Sequence, residues 1–161
     1  MGSSRSDDFD TIPRFIGKGA MTTDGTNFQA TVARLFKDAA FITDVGIHLI
    51  SVGPGRCETQ LVLMPKHFQQ DECVHPGAMA TMAEHTAIAA LTTLLSPKEH
   101  ASTVEFKINF LFPAQGKCLR CRSQVLKPGG KIVSVESEVY ILGGDMTRLV
   151  AKALCTLVVS P

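Results

Sequence analysis

The chain has 161 residues, of which 45% are hydrophobic, with 16 basic and 15 acidic side chains. That length supports one domain with a real core. A formal net charge of +1 leaves no basic surplus to make nucleic acid the main partner.

No uninterrupted apolar run reaches the length of a membrane span, and no secretory leader is recognisable. Stable membrane insertion is therefore not expected. The five cysteines, Cys57, Cys73, Cys118, Cys121 and Cys155, are odd in number and scattered. This is the pattern of free thiols in a reducing compartment, so a cytoplasmic location is expected. Gly2 with Ser6 fits an N-myristoylation pattern. An unmodified tail or a cloning remnant is the preferred reading; even if acylated, one chain anchors weakly, and Asp7, Asp8 and Asp10 oppose a second, basic membrane signal.

Residues 1–25 lack periodicity and read as a flexible lead, with one domain over 26–161. Thr26 and Gln29 suit a capping box. Phe28, Val32, Leu35 and Phe36 follow at helical spacing, predicting a helix to about Ala40. Gly46–Val52 and Arg56–Met64 read as strands around the turn Gly53-Pro54-Gly55.

A polar loop from His67 then leads into one long apolar helix. Pro76 suits a first helical turn, which places His75 at the cap and runs the helix to Leu95, about five turns. It is built mostly of Ala, Thr, Met and Leu, with one carboxylate, Glu84, in its middle. Such a carboxylate is costly unless it is paired or used.

Beyond Ser96-Pro97 the period changes to two. Val104, Phe106, Ile108, Phe110 and Phe112 alternate with Glu105, Lys107 and Asn109, predicting a half-buried strand. Lys117–Lys127, Lys131–Leu142 and Thr147–Val159 follow, separated by Pro113 to Gly116, Pro128-Gly129-Gly130 and Gly143-Gly144-Asp145. Short turns between consecutive strands predict an antiparallel meander. An α+β architecture results: a curved antiparallel sheet of about six strands wrapped around one long helix.

That arrangement resembles the hotdog fold, and several residues resemble the PaaI-type acyl-CoA thioesterases within it. The family pattern is Gln or Asn six residues before a His, then His-Gly-Gly or His-Ala-Gly, then a carboxylate nine residues after the His. Here these are Gln69, His75-Pro76-Gly77 and Glu84. The strand Val104–Phe110 with Pro113-Ala114, and the closing Leu149-Val150-Ala151 and Cys155-Thr156, are also similar. The resemblance spans roughly residues 45–159. It implies hydrolysis of aryl- or fatty acyl-CoA to free acid and CoA. Glu84 would be nucleophile or general base, and the helix end at His75–Gly77 the oxyanion site. Gln69 would orient the water or the carboxylate, and Thr103 would lie where some members place an assisting hydroxyl. CoA is part of the substrate, and no separate cofactor or metal is implied.

Nine residues of helix span about 13 Å of rise with a rotation near 180°. Glu84 therefore cannot meet the N-terminus of its own helix. A site using both takes them from two subunits, and the resemblance implies such homodimers, commonly paired into homotetramers. Two departures stand out. Pro76 occupies the position whose backbone N–H usually meets the thioester oxygen, and proline has none. Either Gly77 supplies that donor or the oxyanion site is weaker. Ile88 stands where some relatives carry Ser or Thr.

His75 reads as a brace for the loop more than as a proton carrier, His85 as structural, and His67 and His100 as ordinary loop residues. Cys73-x-His75 is too sparse for a metal. Cys118 and Cys121 point to opposite faces of a strand, so they form neither a zinc nor a redox pair. Gly129-Gly130 reads as a turn. Lys107, Arg120, Arg122 and Lys127 suit either CoA phosphates or a solvated sheet face. One rival is a hotdog hydroxyacyl dehydratase, echoed by His67-Phe68 and Pro76-Gly77; its acid would fall at Met82. The other is a non-catalytic acyl-CoA-binding homo-oligomer.

Overall fold

The computed structural model describes residues 28–143 and 146–161. The lead, the Thr26 cap and the Gly2 pattern lie outside them. Helix α1, Phe28–Lys37, buries Val32 and Phe36. It stops short of Ala40, because Ala39 is extended (φ −85°, ψ 97°). A second helix that the periodicity did not reveal, α2, then spans Ala40–Val45. Gly46 closes it at φ 92° with its N–H on the Ile42 carbonyl, the left-handed cap that glycine makes without a Cβ penalty.

Strands β1, Ile47–Gly53, and β2, Arg56–Val62, form a hairpin. The long helix α3 runs Pro76–Thr92, about 26 Å. It ends three residues earlier than expected. The Thr93 hydroxyl donates to the Ala90 carbonyl (2.8 Å) and accepts the Gly55 N–H (2.7 Å), which ties the helix end to the β1–β2 turn.

Strands β3, His100–Phe110, β4, Cys118–Val125, β5, Ile132–Gly143, and β6, Met146–Ser160, complete one six-stranded sheet. Every neighbouring pair is antiparallel, in the order β1-β2-β4-β5-β6-β3. Helix α3 packs against this sheet. Alternate residues form the core: Leu119 and Cys121 of β4, Val135 and Val139 of β5, Cys155 and Leu157 of β6. Ala83, Ala87 and Ala90 of α3 are wholly buried, and their small side chains let helix and sheet approach closely.

Hydroxyls set the helix on the sheet. Ser137 donates to the Ala83 carbonyl (2.9 Å), and Thr86 to the Met82 carbonyl (2.6 Å). Each hydroxyl has one proton to give. Ser123 therefore donates to Ser137 (2.6 Å) and Thr59 to Thr86 (2.7 Å). These buried groups are satisfied by one another, which removes the cost of burying them.

The expectation of one four-strand meander is corrected. Only β4, β5 and β6 follow one another in the sheet. β3 lies at the far edge beside β6, and the chain crosses from there to β4. Residues 111–117 make that crossing. Ala114 is buried and its carbonyl accepts the Val74 N–H (2.8 Å), while the Lys117 N–H reaches Leu142 (3.2 Å). The segment is thus a bridge over the start of α3 and not a hairpin turn.

The half-buried strand is corrected too. Val104, Phe106, Phe110 and Phe112 are exposed in the single chain (65%, 37%, 45% and 44%), as is Leu111. Moreover, the ladder slips at Val104: Thr103 pairs with Leu157, but Glu105 pairs with Thr156. This β-bulge reverses the alternation. Thr103 now shares the helix-side face with Phe106, Ile108 and Phe110, which stand opposite Cys155, Ala153 and Ala151. Unbroken alternation would have put Thr103 on the other face.

Candidate functional site

The loop before α3 is held by hydrogen bonds at several points. His67 is buried (4% exposed) and both its ring nitrogens are engaged. Nδ1 accepts the Met64 N–H (2.9 Å), so the proton sits on Nε2, which donates to the Val45 carbonyl (2.7 Å). The reading of His67 as an ordinary loop residue is therefore wrong. It is a strut between the loop and α2. Its carbonyl accepts the His75 N–H (2.7 Å). Phe68 bridges Val74, and the Gln69 N–H bonds to Cys73 O (2.8 Å). Nothing local in the sequence shows that His67 braces Val45 and Met64. His100 opens β3 and is exposed.

His75 caps α3, as its position before Pro76 suggested. Its backbone is extended (φ −62°, ψ 131°), and its Nδ1 accepts the Gly77 N–H (2.9 Å). The Ala78 N–H bonds to the His75 carbonyl (3.0 Å). The Gly77 amide, one of the two outcomes left open for the missing Pro76 donor, is thus already engaged by the cap. Glycine is needed there sterically: a Cβ on Gly77 would lie 2.9 Å from His75 Nδ1 and 3.3 Å from Cε1.

Two turns into α3, Glu84 is partly buried. It lies on the helix face that includes Gly77, Thr81, Ile88 and Thr92, none of them fully buried. The Thr103 hydroxyl donates to its Oε1. The bulge at Val104 makes this possible by turning Thr103 toward the helix. Glu84 also acts on its surroundings electrostatically. The Cys155 thiol on β6 is pushed up to about 11, first by burial and then by the Glu84 charge. Burial holds the neighbouring His85 below its usual value, partly opposed by Glu84 and by the Leu35 carbonyl. His85 packs edge-on against Phe36 (4.9 Å), a structural position beneath α1.

The structure joins Glu84 and Thr103. Among the described residues, no hydrogen bond links Gln69, His75 or Gly77 of the same chain to Glu84. Arg120 and Arg122 belong to the outer sheet face. Arg120 donates to Gln60 (2.7 Å) and both guanidinium groups approach Glu58 (3.5 and 3.4 Å). Met82, where a dehydratase would carry its acid, is fully buried. No group of three or more His, Cys, Asp or Glu suited to a metal occurs among the described residues. No described helix is long and apolar enough to cross a membrane.

Comparison with known proteins agrees with this architecture. Residues 72–147, which include α3, Glu84 and Thr103, match the family model of the thioesterase superfamily. A thioesterase family protein from Silicibacter pomeroyi superposes with a TM-score of 0.80 at 26% identity, over 82% of this chain and 97% of that one. A conserved protein from Pseudomonas aeruginosa gives 0.69 at 28% identity, over 76% and 94%. The PaaI protein of the E. coli phenylacetic acid degradation operon shares the fold, with a TM-score of 0.73 at 17% identity over 83% and 94%. No curated protein matches the sequence. The chain has the hotdog fold, and residues 72–147 match the thioesterase superfamily.

Proposed function

We propose that this protein hydrolyses acyl-CoA thioesters to free acid and CoA, with Glu84 as general base. The Glu84–Thr103 pair carries the reading. A lone carboxylate on an apolar helix is held by a hydroxyl that the edge strand re-aims toward it. Glu84 would take a proton from water as the water oxygen bonds to the carbonyl carbon. Collapse of the adduct would break the C–S bond, and the leaving sulfur would recover that proton. Thr103 would orient the carboxylate, and Gln69 would help place the water. Direct attack by Glu84 is the nucleophilic variant of the same site.

The second half of the site would come from a partner subunit. Gly77 and Glu84 are seven residues apart, about 10 Å of rise and nearly two whole turns. They therefore share a face but are too far apart to hold one carbonyl group. A two-fold axis crossing that face between Ala80 and Thr81 would set each Glu84 against the partner subunit's Gly77. The edge strand supports this reading. β3 carries the exposed Val104, Phe106 and Phe110 on an unpaired edge, a template for pairing with a second copy. We read the assembly as a homodimer, with homotetramers built from such dimers.

An acyl-CoA-binding homo-oligomer without catalysis is the second reading, favoured by the prior engagement of the Gly77 amide. An assay of aryl, short-chain and long-chain acyl-CoAs separates the two. Wild type is expected to release CoA thiol from at least one class, and Glu84→Gln to lower kcat by about 10²-fold or more. Binding of CoA esters by wild type without any hydrolysis would establish the binding module instead.

A further inference from the structure

We infer that the side chain of His75, through its Nε2–H, is the oxyanion donor of the proposed site, and that the Gly77 amide acts on the substrate through that ring. This rests on the thioesterase reading above. Counting protons at the start of α3 leads there. Pro76 has no N–H. The Gly77 N–H is spent on His75 Nδ1 (2.9 Å), and the Ala78 N–H on the His75 carbonyl (3.0 Å). A ring nitrogen that accepts a hydrogen bond carries no proton, so neutral His75 has its proton on Nε2.

Imidazole places its two nitrogens on opposite flanks of Cε1. With Nδ1 turned to the helix, Nε2–H points away from it, and the residue is exposed. The ring is fixed at Nδ1 by the Gly77 N–H. Its backbone is anchored by the His75 N–H on His67 O (2.7 Å), and Gly77 has no Cβ to push the ring away. The positive end of α3 thus reaches the substrate through a neutral imidazole. A neutral imidazole at a helix N-terminus is an effective electrophile toward carbonyl oxygen. Proline at position 76 removes the amide donor, and the capping histidine replaces it.

The electron balance is simple. As water adds to the carbonyl carbon, the C=O π pair moves onto oxygen and is held by Nε2–H of His75. The water proton passes to the partner subunit's Glu84, and then to the departing CoA sulfur. His75 keeps its proton throughout, so it acts as a donor and not as an acid.

The test compares His75→Asp with His75→Asn. Aspartate caps a helix as well as asparagine does, but it offers no donor when ionised. His75→Asp is expected to keep the wild-type Tm and lose 10²–10³-fold in kcat, the usual weight of one oxyanion donor, with KM little changed. His75→Asn is expected to be at least about tenfold faster than His75→Asp, since its amide still donates. Nitrogen NMR of the wild-type ring is expected to show the Nε2–H form near neutral pH. The Nδ1–H form, or a folded His75→Asp enzyme as fast as wild type, overturns the inference. In either case, if Glu84→Gln remains inactive while wild type turns over, the thioesterase reading survives alone. Wild type inactive on every acyl-CoA overturns both.

Discussion

Thr103 donates its hydroxyl hydrogen to the carboxylate of Glu84, from a strand to a helix, across 19 residues of chain. The bond ties one oxygen of Glu84 and leaves the other available. Replacing Thr103 with Val keeps the shape and removes the donor. We expect Thr103→Val to fold normally and to lower kcat about tenfold, equivalent to about 1.4 kcal/mol of barrier. Steady-state kinetics on the best acyl-CoA checks this. An unchanged kcat would reduce the contact to packing.

The proposed two-subunit site predicts complementation. In a mixed dimer of Glu84→Gln and His75→Asp chains, one site carries both lesions and the other carries none. Random mixing of two inactive proteins after denaturation and refolding should restore about a quarter of wild-type activity. A site built within one subunit would restore nothing.

His85 predicts an acid limit to stability. Burial lowers its folded-state pKa beneath the ordinary histidine value of 6.5, with Glu84 and the Leu35 carbonyl opposing. Above that value both folded and unfolded chains hold it neutral. As pH falls below it, the unfolded chain takes up the proton first, so stability declines until the folded-state pKa is passed. His85→Gln should flatten this part of the Tm-versus-pH curve below about pH 6.5. If the wild-type and variant curves run parallel there, His85 is not the sensor.

Gly116 sits where the crossing segment meets β5. A Cβ would lie 2.7 Å from Ile141 Cγ1 and 2.8 Å from the Leu142 carbonyl oxygen. That carbonyl also receives the Lys117 N–H (3.2 Å), so it is not free to withdraw. Gly116→Ala should cost about 1–3 kcal/mol in denaturant unfolding. An unchanged midpoint and slope would show that the bridge yields.

The core thiols should be chemically silent in the folded protein. Burial pushes Cys57 and Cys121 up to about 12 and Cys155 to about 11, and the thiolate is the reactive form. Mass spectrometry after iodoacetamide at pH 8 should find these three unmodified until denaturant is added. Rapid labelling of Cys121 in the native state would contradict its burial.

The amino-acid sequence by itself determined most of the local elements, though not the short helix α2. Period-two alternation marked the strands of the sheet, and Pro76 after His75 marked the start of α3, because strand pleat and helix capping are decided by neighbours in the chain. The same local logic singled out Glu84 as a lone carboxylate among Ala, Thr and Met. Family resemblance supplied Gln69 and Thr103 as its companions. Only the tertiary structure decided what depends on distant partners. The place of β3 at the sheet edge, beside β6, follows from a crossing over the helix start, not from a turn motif. The bulge at Val104 exists because Glu105 pairs with Thr156 while Thr103 pairs with Leu157. That slip, invisible to alternation, turns Thr103 toward Glu84. His67 was one polar residue in a loop until Val45 and Met64 took its two nitrogens. The engagement of Gly77 by the His75 ring was equally hidden, since a cap is legible from residue types but the atom that accepts each proton is set by three-dimensional geometry.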